Sequence, residues 1–247
     1  MLTRKALDTS PLKNQAPVIA WEHMRQLAEY LWIEENPKNK GSKYNRKQAA
    51  TMIFITAFSG ARWIDAARLK WEDMRVLTRE HRKFVQIYIR ISKTNIEGTS
   101  LEAITLPHLP DSTNCPVKAL TRWWIYTGKP TAGFIFPCHK FGLFNYSNYT
   151  DGRAAHRNVT AAAEKLGWSV KPFKHTNRKT ASVTLAALNV DRLALTRHLR
   201  WQPNSPMPDL YIGLYLTNMQ NAPASILASN IEQNRLECQR QFALSPK

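Results

Sequence analysis

Hydrophobic positions recur along this chain with two different periods. In residues 17–36, PVIAWEHMRQLAEYLWIEEN, Ile19, Met24, Leu27 and Leu31 return at helical spacing, the stripe of an amphipathic helix lying on a core. A basic stretch, PKNKGSKYNRK, is expected as a loop. RKQAATMIFITAFSG is then apolar on nearly every side, which predicts a buried helix, and Gly60 suits its C-terminus. WIDAARLKWEDM continues as a further helix. FVQIYIRI switches to period two, with Val85, Ile87, Ile89 and Ile91 on one face of a half-buried strand. Turn-forming Asn95 and Gly98 separate it from SLEAITLP, so the two segments predict a hairpin.

Pro116 is well placed to open a helix, PVKALTRWWIYTG, that Gly128 closes. GFIFP is a short apolar piece, and NYTDGRAAHRNVTAAAEKLG predicts a basic helix closed by Gly167. Its Arg153, His156 and Arg157 fit a solvated face and a polyanion contact equally well. A long apolar helical run follows His175, then a short basic helix carrying Trp201, then a proline-rich turn, QPNSPMP. The whole predicts an α+β fold, mostly α-helical, with a small antiparallel hairpin sheet. Residues 1–16 are polar and aperiodic, as in a flexible arm; 17–221 form the main domain. Residues 222–247 break at Pro223 and continue as a helix-like tail with Ile226, Leu227, Ile231 and Leu236 apolar.

Charge narrows the function. Lys and Arg number 35 against 18 acidic residues in 247, a formal charge of +17, more than solubility requires. A polyanionic partner follows. Nucleic acid is favoured over a membrane surface, because the basic residues are dispersed over several helices and loops and no long apolar span or signal peptide is present. Cys115, Cys138 and Cys238 are too few and too scattered for a disulfide framework, so a reducing compartment is expected. Cys138 and His139 adjoin, yet without a second close pair they do not make a metal site. There is no Gly-rich phosphate loop, and no cofactor is expected.

The chemistry concentrates between His175 and Tyr211. His175 and Arg178, at i and i+3, share one face at a helix start, so both can reach one anionic group. An arginine fork grips two phosphate oxygens, an imidazole can donate or shuttle a proton, and a tyrosine hydroxyl can attack phosphorus. Taken alone, a His-x-x-Arg pair is commonplace in basic proteins. Upstream, SGAR places Arg62 where a new helix starts, an electrostatically poor position for a cation unless an anion lies there. Asp65, at i+3, can orient that arginine. Lys93 sits beside the hairpin turn, where a long side chain can extend into a cleft.

This ordered set resembles the catalytic domain of the tyrosine recombinase (phage integrase) family, which is similar in site chemistry to type IB topoisomerases. The resemblance runs from about Pro17 to about Asn218. Its first arginine matches Arg62 and its acidic neighbour Asp65; its hairpin lysine matches Lys93; its His-x-x-Arg box matches His175 and Arg178; its His-or-Trp position matches Trp201; its nucleophile falls at Tyr211, with Tyr215 on the same helical face as the second candidate. The gap from Trp201 to Tyr211 is a residue longer than usual and holds three prolines. Members usually carry a further N-terminal helical domain, whereas about 16 polar residues precede the first predicted helix, so a short member or part of one is implied.

The resemblance implies a metal-independent DNA strand transferase acting on double-stranded DNA, assembled as a homotetramer with the C-terminal tail on a neighbouring protomer. Location would be the cytoplasm (nucleoid) for a prokaryotic or phage source and the host nucleus for a eukaryotic virus or element. A type IB topoisomerase or telomere resolvase would use the same chemistry, and a basic DNA-binding protein with a decayed site is the non-enzymatic alternative.

Overall fold

The computed structural model describes residues 19–33, 40–79, 81–90, 102–110, 113–150, 153–168 and 175–210. The proposed arm (1–16), Lys93, Tyr211, Tyr215, Cys238 and the tail (222–247) lie outside them.

Helix α2 (Lys40–Ser59) is the axis of the molecule. It packs against α1 (Trp21–Ile33), α4 (Pro116–Tyr126), α5 (Arg153–Lys165) and α6 (Thr176–Ala187). A helix surrounded in this way has no solvent side, and accordingly residues 48–57 are buried without a break. The predicted loop before it is shortened: residues 40–46 are already helical, because a polar first turn is no obstacle where the later turns carry the burial. α2 stops at Gly60, as expected, and for two physical reasons. Gly60 has φ of +60°, and a Cβ there would stand 2.1 Å from the Leu199 side chain.

The predicted hairpin is present: β2 (Arg82–Ile89) pairs antiparallel with β3 (Glu102–Pro107), and Val85, Ile87 and Ile89 all face inward. Two expectations are corrected around it. The helix expected over WIDAARLKWEDM is only α3 (Trp63–Ala67), followed by a 3₁₀ turn (Trp71–Asp73). β1 (Met74–Arg79) then adds a third strand to the sheet, in the order β1-β2-β3. Further on, β4 (Pro137–Lys140) and β5 (Leu143–Tyr149) form a two-stranded hairpin, so the basic helix begins only at Arg153. α7 (Arg192–His198) ends before Trp201, which therefore lies beyond the short basic helix rather than in it.

The main core gathers Met24, Leu31, Met52, Ile53, Ile55, Leu69, Ile87, Ile104, Leu106, Trp123, Ile135 and Phe136, each at 2% exposure or less. A separate, much smaller cluster of Ala181, Leu195 and Leu199 joins α6 to α7. α6 is fixed to α2 by polar bonds: Asn177 Nδ2 donates to Thr56 Oγ1 at 2.7 Å and to the Ile53 carbonyl at 3.3 Å. The Thr180 hydroxyl accepts from the Ile19 amide at 3.0 Å. Among the described residues no helix is long and apolar enough to cross a membrane.

Candidate active site

The last carbonyls of any α-helix lack intrahelical partners. At the end of α2 three consecutive ones are taken up by side chains from α6 and the end of α7. His198 Nε2 lies 3.0 Å from the Phe58 carbonyl, which can only accept, so this nitrogen carries the ring proton. Arg200 Nη1 donates to Ser59 O at 3.3 Å and to His198 O at 3.3 Å. Arg178 Nη1 donates to Gly60 O at 2.6 Å, while its Nη2 donates to Leu199 O. Each guanidinium thus bridges the end of α2 to the end of α7, and cations at a helix C-terminus are favoured by the helix dipole.

Arg178 is 5% exposed, and its guanidinium lies 5.1 Å from the Trp201 ring centroid. Two of its five donors go to carbonyls, so its plane and position are set by the backbone it bridges, together with the indole it faces. The fork expected from the sequence is therefore held before any ligand arrives.

Arg62 occupies the N-cap of α3 with extended backbone and no side-chain cap. Its Nη1 is 3.3 Å from Asp65 Oδ2, the i+3 pairing considered from the sequence. Asp65 is 1% exposed, and its Oδ1 has no hydrogen-bond partner among the described residues. Next to Arg62, Trp63 meets the half-buried His156 ring edge-on at 6.1 Å, while Arg153 and Arg157 are exposed.

His175 is the N-cap of α6, exposed, one turn before Arg178. Half-buried Lys179 follows at i+4 on the same face as His175, and burial pushes its pKa down. The structure thus brings Arg62, Asp65, Arg178 and Trp201 around the Gly60 turn, with His175 one helical turn before Arg178 on α6. Tyr211 falls directly after a helical stretch, residues 207–210, which Arg192 ties to α7 through Asp209 at 2.7 Å and the Ser205 carbonyl at 3.1 Å.

Two residues of this cluster carried no signal in charge or periodicity: His198 and Arg200. Burial lowers the pKa of Arg200, Asp65 and Glu102 raise it, and Arg62 lowers it again, which puts Arg200 in the electrostatic field of the Arg62–Asp65 pair. Among the described residues no group of three His, Cys, Asp or Glu side chains converges as a metal site. Cys115 caps α4 by accepting from the Lys118 amide, and the Cys138 thiol donates to Tyr149 O.

No family model matches the sequence, and no curated protein does. Solved structures do resemble it. The XerH site-specific recombinase bound to palindromic difH substrate, a post-cleavage complex, superposes with a TM-score of 0.56 at 18% identity, over 81% of this chain and 50% of that one. XerA recombinase gives 0.54 at 15% identity, over 90% and 70%. A lambda integrase dimer bound to a COC′ core site gives 0.51 at 15% identity, over 83% and 61%. The chain spans about half the length of the XerH chain. What these likenesses establish is architecture: the chain has the fold of a tyrosine recombinase catalytic domain.

Proposed function

We propose that this chain is a site-specific DNA recombinase that cleaves and rejoins strands through a 3′-phosphotyrosyl link. The observation that supports the reading is the Gly60 turn, to whose carbonyl buried Arg178 is bonded and which Asp65-paired Arg62 follows by two residues, on a fold shared with DNA-bound recombinases. Phosphodiester cleavage needs the charge growing on the two non-bridging oxygens to be neutralised by groups already in place, and rigid guanidiniums supply that without reorganising. Arg62 and Arg178 take that role, with His175 and the Trp201 indole N–H adding hydrogen bonds.

In the reaction, the Tyr211 oxygen forms the new bond to phosphorus as the bond to the 5′-oxygen breaks. Lys93 gives its proton to that departing oxygen, and the tyrosine proton passes to His175 or water. Attack by another strand's 5′-hydroxyl reverses these transfers, so no external energy source is needed. Two duplexes would be exchanged by four protomers, with residues 222–247 of each reaching a neighbour, in the cytoplasm or nucleus according to the source.

The test is a nicked, end-labelled duplex incubated with the protein and resolved under denaturing conditions. A protease-sensitive labelled adduct is expected from the native chain and none from Tyr211→Phe, which should still bind duplex DNA. An adduct mapped to Tyr215 would move the nucleophile, and no adduct from the native chain on any duplex tried would refute the mechanism.

A further inference from the structure

We propose that Arg200 is a third phosphate-binding arginine of this site, offering its Nη2 to a phosphodiester oxygen beside Arg62 and Arg178. The inference deepens the recombinase reading and rests on it for the identity of the anion.

Three observations converge. Arg200 has φ of +53°, the left-handed region where an L side chain is strained and glycine is at home. That backbone lies between Leu199, whose carbonyl accepts from Arg178, and Trp201, whose ring faces Arg178. The strained residue is therefore built into the arginine clasp rather than into a peripheral turn. The side chain is also 9% exposed, and while Nη1 is held by two carbonyls, Nη2 is fully buried with no hydrogen-bond partner among the described residues. A buried guanidinium nitrogen without an acceptor is costly enough that it marks a place where an acceptor arrives. Finally, the neighbours select the kind of acceptor. Arg62 repels Arg200, and Asp65 and Glu102 attract it, yet neither carboxylate bonds Nη2. An oxyanion shared by several guanidiniums relieves the repulsion and at the same time gives Nη2 an acceptor, and a phosphodiester has two non-bridging oxygens to offer.

The competing account makes Arg200 only a cap for α2, with Nη2 incidental. Arg200→Gln separates the two, because its neutral amide can still donate to Ser59 O while the Nη2 donor and the charge are gone; Arg200→Gly, which suits the left-handed backbone but removes cap and guanidinium together, serves if the glutamine variant does not fold. Two readouts apply to each: the labelled adduct on nicked duplex, and the rise in melting temperature caused by inorganic phosphate, which is independent of Tyr211 chemistry. Expected are an adduct rate lower by about a hundredfold, duplex binding within about twofold, and loss of the Arg200-dependent part of the phosphate effect. Native adduct rates in either folded variant overturn the proposal while leaving the recombinase reading intact. A slow variant with an undiminished phosphate effect also overturns it, since Arg200 would then only position its neighbours. If the native chain forms no adduct at all, the recombinase reading fails, and the phosphate effect alone decides whether Arg200 binds an anion.

Discussion

The two halves of the molecule that meet at α2 are held by different forces. On one side, α1, α4, α5 and the sheet share a large apolar core with α2. On the other, α6 and α7 share three fully buried apolar residues and rely on directional bonds to reach α2: Asn177 to Thr56, Arg178 to Gly60, Arg200 to Ser59, His198 to Phe58. Apolar burial tolerates small displacements, because it scales with area; hydrogen bonds to fixed carbonyls do not. The difference explains why the candidate site sits on the polar side. A phosphate-handling constellation needs position more than adhesion, and the α2 carbonyls supply fixed points of attachment. It also predicts that damage on the first side should appear as lost stability and damage on the second as lost geometry.

The largest effect expected from this contrast is in the core. Trp123 is fully buried, packs on Tyr44, Tyr126 and Phe136, and donates from Nε1 to Ile135 O at 2.6 Å. Trp123→Ala should cost about 3–5 kcal/mol through the cavity and the orphaned carbonyl. Denaturant unfolding measures it, and a loss under about 1 kcal/mol would show that the core is not what holds this half together.

A smaller effect is expected across the polar seam. Asn177→Ala removes that residue's two bonds to α2 and should cost about 1–2 kcal/mol. Its signature is local. Amide exchange in α6 and α7 should accelerate well beyond that in α1 and α4, because the seam opens without the core. Uniform acceleration across all helices would mean that the two halves unfold as one unit and that the contrast is only one of composition.

How much of this was legible beforehand follows the same division. The apolar half announces itself: Val85, Ile87 and Ile89 alternate, residues 48–57 form one buried run, and Pro116 and Gly60 punctuate their helices. The strands that escaped are those with little burial to advertise. β1 has no buried residue, and β5 alternates aromatic residues with Asn and Ser and stays half exposed. At the Gly60 turn, Arg62, Asp65, Arg178 and Trp201 were singled out beforehand because together they form an ordered set that resembles a known family's. Arg200 and His198 were not, since among 35 Lys and Arg residues only position, a left-handed backbone and a buried nitrogen, distinguishes one arginine from another. Trp201 was expected on a helix because TRHLRW continues a helical pattern; the turn at Leu199–Arg200 is created by packing on Gly60, which is a tertiary effect.

The smallest effect is pH dependence, and it belongs to the polar seam alone. His198 keeps part of its ring in solvent, but desolvation where it meets α2, and then the charge of Arg200, push its pKa below the ordinary 6.5; the Phe58 carbonyl opposes this, and Arg178 adds a smaller lowering. The folded chain therefore holds this imidazole neutral at a pH where the unfolded chain has begun to protonate it. Since the unfolded state binds the extra proton, stability is complete above about pH 6.5 and declines as the pH falls toward the lowered folded value. Solvent access to the ring keeps the loss small, under about 1 kcal/mol. His198→Gln retains a donor for Phe58 O and cannot titrate, so the difference in unfolding free energy between pH 7.5 and 5.5 should shrink in that variant. Trp123→Ala should leave that difference as it is in the native chain, because it removes core area and no proton site. Equal pH dependence in the native chain and the His198→Gln variant would mean that His198 is not held neutral by the clasp, and that the cations around α2's last carbonyls lie farther from its ring than the geometry places them.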